Sequence, residues 1–359
     1  MARVQKVYGE TNVYEEAKER IRYIFDTHDD VVVAFSGGKD SLVAMHLVRE
    51  VAAEYGIDKV NVEYRDEEMV PQPVLDIVEY YRNQPWVDLK YFACQWQATS
   101  FILGKVRSYL QWDESRKPWV RDKPPHAITL PGDYDELFGF DAITSTVFSR
   151  GKVALVLGVR AEESMNRWRS VVNKKIDNYI NPSQYSTRLN ICKPIFDWRM
   201  NDVLKYIYDN QIEYCQLYNM QMWAGDRLRV CSPLHATPAK QLHKLREVDP
   251  KCYEQIVTIF PEVTVQERYW LEVSFDKIID QYGGSFGSMR EWLMNNLDVD
   301  QLRTALHELD SVFARWQNTP LSYPKKWIFH HLVTGKYLHP IQPLDERQRK
   351  AWLSDFDNN

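Results

Sequence analysis

Residues 31–41 read VVVAFSGGKDS, an apolar run that leads directly into a glycine-rich turn. A run rich in β-branched residues predicts a buried parallel strand, and the pattern of residues 42–55 predicts a helix after the turn. Adjacent glycines allow positive φ and let the backbone approach a ligand closely. A helix N-terminus offers N–H groups and a favourable dipole to an anion, and Lys39 adds a positive charge. The stretch therefore predicts a phosphate site between a strand and a helix.

The order of residues in this turn distinguishes it from two common phosphate-binding loops. It matches neither G-x-x-x-x-G-K-[ST] nor G-x-G-x-x-G. Instead, SGGKDS resembles the PP-loop of the ATP pyrophosphatase (adenine nucleotide α-hydrolase) superfamily, which includes phosphoadenosine phosphosulfate (PAPS) reductases. The resemblance implies that ATP binds here and is cleaved between its α and β phosphates. It also implies that Ser36, Gly38 and Ser41 line the pyrophosphate, and we predict that the nucleotide contacts Gly37, Lys39 and Asp40 as well.

Asp40 has two interpretations at the start of the predicted helix. Its carboxylate can cap backbone N–H groups of the first turn. Alternatively it approaches a Mg²⁺ ion that accompanies the nucleotide, because Mg²⁺ prefers oxygen ligands. The sequence leaves both roles open, and we predict that Lys39 and Asp40 are catalytic.

Composition narrows the class of protein. The 359 residues are enough to bury a large core. A formal net charge of -5 argues against a protein that coats nucleic acid through bulk charge. The N-terminus lacks the apolar segment of a signal peptide, and no apolar run approaches the roughly 20 residues of a membrane helix. We therefore expect a cytoplasmic protein with no membrane partner.

The spacing of apolar residues predicts an α/β fold. Helical and strand-like patterns alternate over residues 12–93 as a helix followed by β-α-β-α-β, and the strand pattern returns at residues 153–158. These patterns predict a doubly wound parallel sheet. Residues 111–140 contain four prolines and predict an irregular excursion from it. Later stretches are helix-like without strands, so we predict a PP-loop domain at residues 1–235 and a helical C-terminal region at residues 236–359.

An acidic turn, Asp66-Glu67-Glu68, follows the second predicted strand. Ligands of open α/β sheets bind at the carboxyl ends of the strands. We predict that Asp66 accepts hydrogen bonds from the ribose of the nucleotide or contacts a metal. The alternative is a solvated acidic turn, since acidic runs are common on surfaces.

A second motif is the segment GVRAEESMNRWR at residues 158–169. It resembles the G-x-R-x-x-E-S-x-x-R segment of PAPS-reductase-like PP-loop proteins. A glycine at a strand end lets an adenine ring lie against the backbone, and guanidinium groups stabilise phosphate charge. The alternative is an amphipathic helix, because Glu163 and Arg167 have i, i+4 spacing. We predict that Arg160 and Arg167 are catalytic and that the nucleotide contacts Gly158, Arg160, Glu163 and Arg169.

Two further segments extend the resemblance. Residues 192–203 resemble the P-[IL]-x-[DN]-W-x-x-x-D-[IV] segment of the same superfamily. Residues 224–233, together with the excursion, resemble the IbrA/YbdN-like branch of PAPS-reductase-family proteins. The resemblance covers roughly residues 20–240, and it specifies the fold more closely than the reaction.

The five cysteines separate this chain from some members of the superfamily. They are scattered without a C-x-x-C motif, which suits a reducing compartment. A PAPS reductase needs a redox cysteine in a C-terminal E-C-G-[IL]-H setting, but the last cysteine here is Cys252 in PKCY. Their spacing also argues against an iron–sulfur cluster. PP-loop thiolases use a cysteine pair, and Cys94 is a candidate for one member of such a pair.

Our leading expectation is an ATP pyrophosphatase that binds ATP with Mg²⁺, adenylates an acceptor and releases pyrophosphate. Basic and aromatic residues alternate in residues 111–123, which suits a nucleic acid acceptor or a solvated flap. One alternative is a sulfonucleotide enzyme, a reductase or sulfurylase-like protein acting on PAPS or adenylylsulfate. Another is an ATP-sensing module that meets a partner protein through its C-terminal region. The residues considered for that contact are Trp316, Trp327, His330, His331 and Lys336.

Overall fold

The fold is described from a computed structural model of the chain. The chain contains two compact units, of which the larger contains Tyr8–Thr99 and Ser108–Pro261 and the smaller contains Glu262–Asn359 with Ser100–Arg107. The domain boundary predicted at residue 235 stays a prediction. The structure describes residues 9–102, 105–132, 134–135, 139–172, 177–223, 225, 228–234, 242–261, 263–264, 275–335, 337, 340–346 and 348–350.

The strands in the described residues are, in chain order, β1 (Asp30–Ala34), β2 (Val60–Arg65), β3 (Val87–Phe92), β4 (Trp96–Ile102), β5 (Lys105–Gln111), β6 (Tyr134–Asp135), β7 (Val153–Leu157), β8 (Ile180–Pro182) and β9 (Leu189–Cys192). Six of those described form a sheet in the order β3-β2-β1-β7-β9-β8. Its neighbours are parallel except β8 and β9. Outside this sheet, β4 pairs with β6.

The helices in the described part of the larger unit are α1 (Val13–Thr27), α2 (Lys39–Glu54), α3 (Gln72–Arg82), α4 (Gly139–Val147), α5 (Met165–Arg169), α6 (Met200–Asp209), α7 (Leu217–Trp223), α8 (Leu242–Val248) and α9 (Pro250–Ile259). Those of the smaller unit are α10 (Phe275–Tyr282), α11 (Phe286–Asn296), α12 (Val299–Asn318) and α13 (Lys325–Val333). The predicted α/β fold with a doubly wound, mostly parallel sheet and a helical C-terminal region is confirmed.

The centre of the larger unit is formed by β1 and α2. Val32 and Val33 of β1 and Leu42 and Leu47 of α2 are completely buried. Burial on both faces is the expected environment of a parallel strand between layers of helices. The turn that joins β1 to α2 is therefore anchored at both ends in the core.

The segment 192–203 attaches α1 to the rest of the unit. Arg20 of α1 donates from its two terminal nitrogens to the two carboxylate oxygens of Asp197, at 2.8 and 2.9 Å. Trp198 is almost completely buried, and its Nε1 donates to the carbonyl of Val13 at 2.9 Å. A bidentate pair of this kind fixes orientation as well as distance. These two residues of the motif therefore stabilise the fold rather than contact a ligand in the structure.

The smaller unit has its own apolar core. Trp292, Phe329 and Leu332 belong to a buried cluster against which Trp316 and Trp327 pack. Lys336, which we considered for a protein contact, lies outside the described residues. The partner surface in this region stays a prediction. None of the helices in the described residues has both the length and the apolar character needed to cross a membrane.

His46 on α2 predicts a loss of stability in acid. Its Nε2 lies 3.1 Å from the hydroxyl of Tyr81, and burial lowers the pKa of His46 to about 4. The stabilisation is complete above the unfolded pKa of about 6.5 and is lost as the pH falls towards 4. Between pH 7 and pH 4.5, wild type should lose about 2 kcal/mol more unfolding free energy than His46→Gln, measured by denaturant titration.

A matched control for this prediction is His307→Gln, which changes an exposed histidine of α12. Its loss between the two pH values should equal that of wild type. An equal loss in His46→Gln and wild type would show that His46 does not contribute to the acid sensitivity.

Candidate active site

A cleft of about 820 Å³ runs across the carboxyl ends of the central strands in the larger unit. This edge of an open α/β sheet is where such folds bind ligands. At β1 and β7 the cleft is bordered by Ser36, Gly38, Lys39, Asp40, Ser41, Gly158, Arg160, Glu163 and Arg167. At β2 and β3 it is bordered by Arg65, Asp66, Phe92, Cys94, Trp96, Gln111 and Ile143. The volume is at the upper end of the range for small-molecule sites.

The glycine-rich turn adopts a tight conformation. Gly37 has a φ of +73°, and a Cβ at this position would lie 2.8 Å from a methyl group of Val74. Gly37 therefore faces α3 rather than the cleft, and its absence from the cleft lining follows from this packing. Gly38 is the N-cap of α2 and has no side chain that could cap the helix. The N–H groups of the first turn therefore need bonding partners other than an N-cap side chain.

Ser36 and Ser41 connect the two ends of the turn. Their hydroxyl oxygens lie 3.1 Å apart, and the Ser41 hydroxyl also donates to the carbonyl of Gly38 at 2.9 Å. These bonds hold the loop around the first turn of α2. Both side chains border the cleft, as the sequence predicts for phosphate contacts.

Lys39 is almost completely buried beside the turn. Its backbone N–H donates to the hydroxyl of Tyr218 at 2.8 Å. Its Nζ donates to Asp40 at 2.9 Å and to the carbonyl of Leu228 at 3.4 Å. The ammonium group is therefore held at the phosphate end of the cleft by Asp40 and by the carbonyl of Leu228, which lies in the segment after α7.

Arg160 and Asp40 form the central ion pair of the site. Arg160 is 1% exposed, and its Nε donates to the Asp40 carboxylate at 2.6 Å. Its two terminal nitrogens lie 3.7 Å from Glu162 and 3.6 Å from Glu163. Charge-assisted bonds of this kind are strong and directional. The structure thus brings together Lys39, Asp40, Arg160 and Glu163 as the sequence predicts.

Arg167 adds a further positive charge and forms an ion pair with Glu163. Burial, together with Arg229 and Arg160, lowers the pKa of Arg167, while Asp40 opposes this effect. Arg229 also borders the cleft. Three guanidinium groups at one end of the cleft favour a highly charged anion such as a polyphosphate.

Gly158 is required by packing in the structure. A Cβ at this position would lie 2.4 Å from the backbone of Asp40 and Ser41. The end of β7 therefore approaches the first turn of α2 more closely than a larger residue permits. The contact between Gly158 and adenine stays a prediction. Arg169 is exposed and is not part of the cleft lining, so the structure does not bring it to the site.

Asp66 is buried at the β2 end of the cleft and already has partners. Its carboxylate forms an ion pair with Arg121 and accepts from the hydroxyl of Tyr91 at 2.6 Å and from the N–H of Glu68 at 3.0 Å. Burial raises the pKa of Asp66, while Arg121 and Tyr91 oppose this shift. The solvated acidic turn is therefore wrong for Asp66. Its contact with ribose or metal stays a prediction.

The excursion after β5 is attached to the same acidic turn. Glu68 is completely buried and accepts from the N–H groups of Trp112 and Val120, at 2.7 and 2.9 Å, and from Arg116 at 2.6 Å. Arg116 and Arg121 are thus paired with carboxylates, and Trp112 is buried. These contacts leave little positive charge for a nucleic acid strand, and the acceptor role of residues 111–123 stays a prediction.

The residues at the phosphate end do not form a protein cage for a metal. Among the described residues, no group of three or more His, Cys, Asp or Glu side chains could hold a metal ion. The two carboxylate oxygens of Asp40 face Arg160 and Lys39. The contact between Asp40 and a metal ion therefore stays a prediction.

Two cysteines, Cys94 and Cys231, border the cleft. The other three, Cys192, Cys215 and Cys252, are buried elsewhere, and no disulfide links the five, all of which lie in described segments. Burial raises the pKa of Cys94, so its thiol is disfavoured as a thiolate. Cys231 is partly exposed.

Sequence reasoning assigned no role to Tyr218, Arg229 or Gln111. Tyr218 follows the motif at 192–203, and Arg229 lies in the run 224–233, so both were within recognised segments. No spacing rule singles them out, because they reach the cleft only through the packing of α7 and the segment after it. Gln111 lies at the start of the excursion and carries no motif at all.

Comparison with known families identifies the class of this fold and site. Residues 30–256 match the model of the phosphoadenosine phosphosulfate reductase domain. The chain belongs to this family. The matched region of this PAPS reductase-family protein includes the glycine-rich turn, Arg160 and the excursion. The recognition of the PP-loop superfamily from sequence is confirmed.

Individual relatives agree with this assignment. The family member described here is 26% identical to the YbdN protein of Escherichia coli K12 over 264 residues, covering 69% of this chain and 65% of that protein. The match thus spans less than two thirds of YbdN. It agrees with the IbrA/YbdN-like branch that the sequence motifs indicate.

Solved structures give weaker similarities. Candida glabrata FMN adenylyltransferase, in complex with FAD and inorganic pyrophosphate, has a TM-score of 0.39 and 16% identity over 57% of this chain and 58% of that one. PAPS reductase from Candida auris, in its phosphate complex, has a TM-score of 0.38 and 12% identity over 64% and 97%. At these values neither structure carries an argument about the reaction of this family member.

Proposed function

We propose that this protein is an ATP pyrophosphatase that cleaves ATP between the α and β phosphates and transfers the adenylyl group to an acceptor. One observation carries the proposal. Lys39, Asp40 and Arg160 converge on the glycine-rich turn at the N-terminus of α2, and Arg160 is 1% exposed while it contacts Asp40 at 2.6 Å. Buried, preorganised cations stabilise the charge that develops during phosphoryl chemistry.

The reaction follows from the positions of these charges. An acceptor oxygen attacks the α phosphorus and loses its proton to solvent. The bond from the α phosphorus to the oxygen bridging to the β phosphorus breaks, and pyrophosphate leaves with the electron pair. The loop N–H groups and Lys39 stabilise the pyrophosphate, while Arg160 and Arg167 stabilise the charge on the α phosphate. Mg²⁺ supplies further neutralisation of the phosphates when it is bound.

The role of Tyr218 fits the same arrangement. Its hydroxyl accepts from the N–H of Lys39, and this places its oxygen over the turn, near Gly38. A phosphate that binds to the turn must either displace this hydroxyl or accept a hydrogen bond from it. Tyr218 is therefore a further candidate for contact with the pyrophosphate.

Product analysis tests the proposal. ATP labelled at the α phosphate is incubated with the protein and Mg²⁺, alone and with DNA or tRNA, and the label is resolved into AMP, ADP and acceptor-bound forms. The proposal expects AMP or an adenylated acceptor, with an equal amount of pyrophosphate. Label that appears only in ADP would contradict it. A rise with nucleic acid would identify that class of acceptor.

A sulfonucleotide enzyme is the second candidate, because two cysteines border the cleft. Reduction of PAPS needs a nucleophilic thiolate, and the raised pKa of Cys94 disfavours one. Cys231 is the more accessible of the two, since Cys94 is only 5% exposed. Adenylyl transfer therefore remains the leading proposal.

Thiol labelling provides a prediction that separates the cysteines. Burial raises the pKa of Cys192 and of Cys252 to about 12 and that of Cys215 to about 11, so these thiols are almost entirely protonated at pH 7.5. Iodoacetamide should therefore modify Cys231 first, and bound ATP should slow its modification at least about fivefold. Peptide mass spectrometry measures both rates, and ATP should leave the slow rate of Cys192 unchanged. Equal rates for Cys231 with and without ATP would place the nucleotide elsewhere.

A further inference from the structure

The β2 end of the cleft contains a buried amide without partners. Gln111, the last residue of β5, is completely buried and borders the cleft. Neither its Oε1 nor its Nε2 has a hydrogen-bond partner among the residues that the structure describes. Buried polar groups are almost always paired, because an unpaired one has lost its bonds to water without replacement. Gln111 therefore matches a ligand that supplies both an acceptor and a donor.

The surroundings of Gln111 suit a flat ring. Phe92, Trp96 and Ile143 belong to one buried apolar cluster and border the same part of the cleft. Apolar and aromatic side chains pack against the faces of a planar heterocycle, whereas its edge requires hydrogen bonds. The amide of Gln111 lies among these apolar side chains, and the guanidinium of Arg65 lies 5.6 Å from the centre of the Trp96 ring.

The chain holds Gln111 in place through its neighbour Trp112. The N–H of Trp112 donates to Glu68 at 2.7 Å, and its Nε1 donates to the carbonyl of Asp66 at 2.7 Å. Glu68 and Trp112 have φ values of 62° and 53°, which are unfavourable for residues with side chains. Such conformations persist where the surroundings enforce them, and they concentrate at ligand sites. Gln111 is thus fixed beside the turn that follows β2.

This position lies within reach of a nucleotide on the phosphate loop. Strands β1 and β2 are neighbours, and neighbouring strands are about 4.8 Å apart. The turn after β2 is therefore roughly one strand spacing from the turn after β1. A ribose ring spans a gap of this size, so phosphates at Ser36–Ser41 put the base near Gln111.

We propose that the carboxamide of Gln111 recognises the adenine base of the bound nucleotide. Its Nε2 donates to a ring nitrogen of the base, and its Oε1 accepts from the 6-amino group. Glutamine pairs with adenine in this bidentate way when it reads a base edge. This inference rests on the proposed function, because it requires the phosphates to occupy the glycine-rich turn. It makes Gln111 the residue that selects adenine among purine nucleotides, and it places the base at the β2 end of the cleft instead of against Gly158, where the sequence predicts it.

Binding calorimetry on the full chain tests the assignment. Three ligands are titrated: ATP, purine riboside 5′-triphosphate, which lacks the 6-amino group, and inorganic pyrophosphate. Gln111→Met keeps the length of the side chain and removes both hydrogen-bonding groups. It should weaken ATP binding 10- to 100-fold and remove the preference for ATP over the purine analogue, which should be about tenfold in wild type. Pyrophosphate affinity should not change.

The matched control is Gln97→Met, which alters an exposed glutamine of β4 and should leave all three affinities unchanged. Because an apolar side chain replaces an unpaired buried amide, Gln111→Met should melt no lower than wild type. Gln111→Leu provides a second variant with the same expectation. Equal ATP affinities in wild type and both variants, with pyrophosphate still bound, would overturn the assignment and leave the proposed function standing. If wild type binds neither ATP nor pyrophosphate, both the assignment of Gln111 and the proposed function are refuted.

Discussion

Arg160→Met should lower ATP turnover at least 100-fold and reduce the free energy of unfolding by about 3 kcal/mol. The two effects have different origins. Turnover falls because the guanidinium no longer stabilises charge on the α phosphate. Stability falls because Asp40, which Arg160 contacts at 2.6 Å, loses its buried guanidinium partner and keeps only Lys39 as a counter-ion. Initial rates of pyrophosphate release and denaturant titrations measure the two quantities.

A double variant separates these two origins. Asp40→Asn combined with Arg160→Met removes the carboxylate but also takes the ionic partner from the buried Lys39, so only part of the lost stability should return while turnover stays low. Arg82→Met is the matched control, because Arg82 makes an ion pair with Glu79 on the surface of α3. It should match wild type in both measurements. Full turnover in Arg160→Met would exclude Arg160 from the reaction.

Glu68→Ala should destabilise the protein by about 3 kcal/mol or more, the second large effect that we expect. Glu68 is completely buried and accepts from two backbone N–H groups and from Arg116. Its removal takes the acceptor from both backbone N–H groups and leaves the Arg116 guanidinium with the carbonyl of Leu110 in place of a carboxylate. The excursion should lose its attachment to the turn after β2, and amide hydrogen exchange should rise at residues 111–121.

The control for this change is Glu114→Ala in the same excursion. Glu114 is about half exposed and pairs with Lys117 at 2.8 Å on the surface. Because exposed ion pairs contribute little, its melting temperature and its exchange pattern should match those of wild type. Similar exchange in Glu68→Ala and wild type would show that other contacts hold the excursion in place.

The sequence predicts the sheet, and it predicts which residues meet at the glycine-rich turn. Strand β1, the glycine-rich turn and α2 are continuous in the chain, so a local pattern is enough to recognise them. Arg160 and Glu163 belong to one short motif after β7, and parallel pairing of β7 with β1 brings that motif to the turn. The pairing of neighbouring strands therefore explains why residues of two separate motifs lie together at this edge of the sheet.

The β2 end of the site was harder to predict because its contacts join distant segments. Glu68 and Trp112 are 44 residues apart in the chain, and no periodic pattern connects an acidic turn with a proline-rich excursion. The arginines of the excursion looked available for a nucleic acid. In the structure they pair with Asp66 and Glu68, and composition cannot distinguish a charge that pairs internally from one that faces solvent.

Residues of one motif can also differ in role, some in packing and some on the surface, and the sequence alone does not distinguish them. Gly158 is required by close packing against α2, whereas Arg169 of the same segment is exposed and away from the cleft. Gly37 likewise faces Val74 of α3. A motif identifies the segment that forms a site, but the side of the backbone that each residue faces depends on the packing around it.

In the proposed reaction, an oxygen nucleophile attacks the α phosphorus of ATP in this cleft. The most direct measurement is turnover of ATP and Mg²⁺ in water enriched in ¹⁸O, with the products resolved by ³¹P NMR. When water is the acceptor, we expect ¹⁸O on the phosphorus of AMP and none on pyrophosphate, and no turnover in Lys39→Met. Isotope on pyrophosphate or orthophosphate, with ADP as a product, would contradict attack at the α phosphorus.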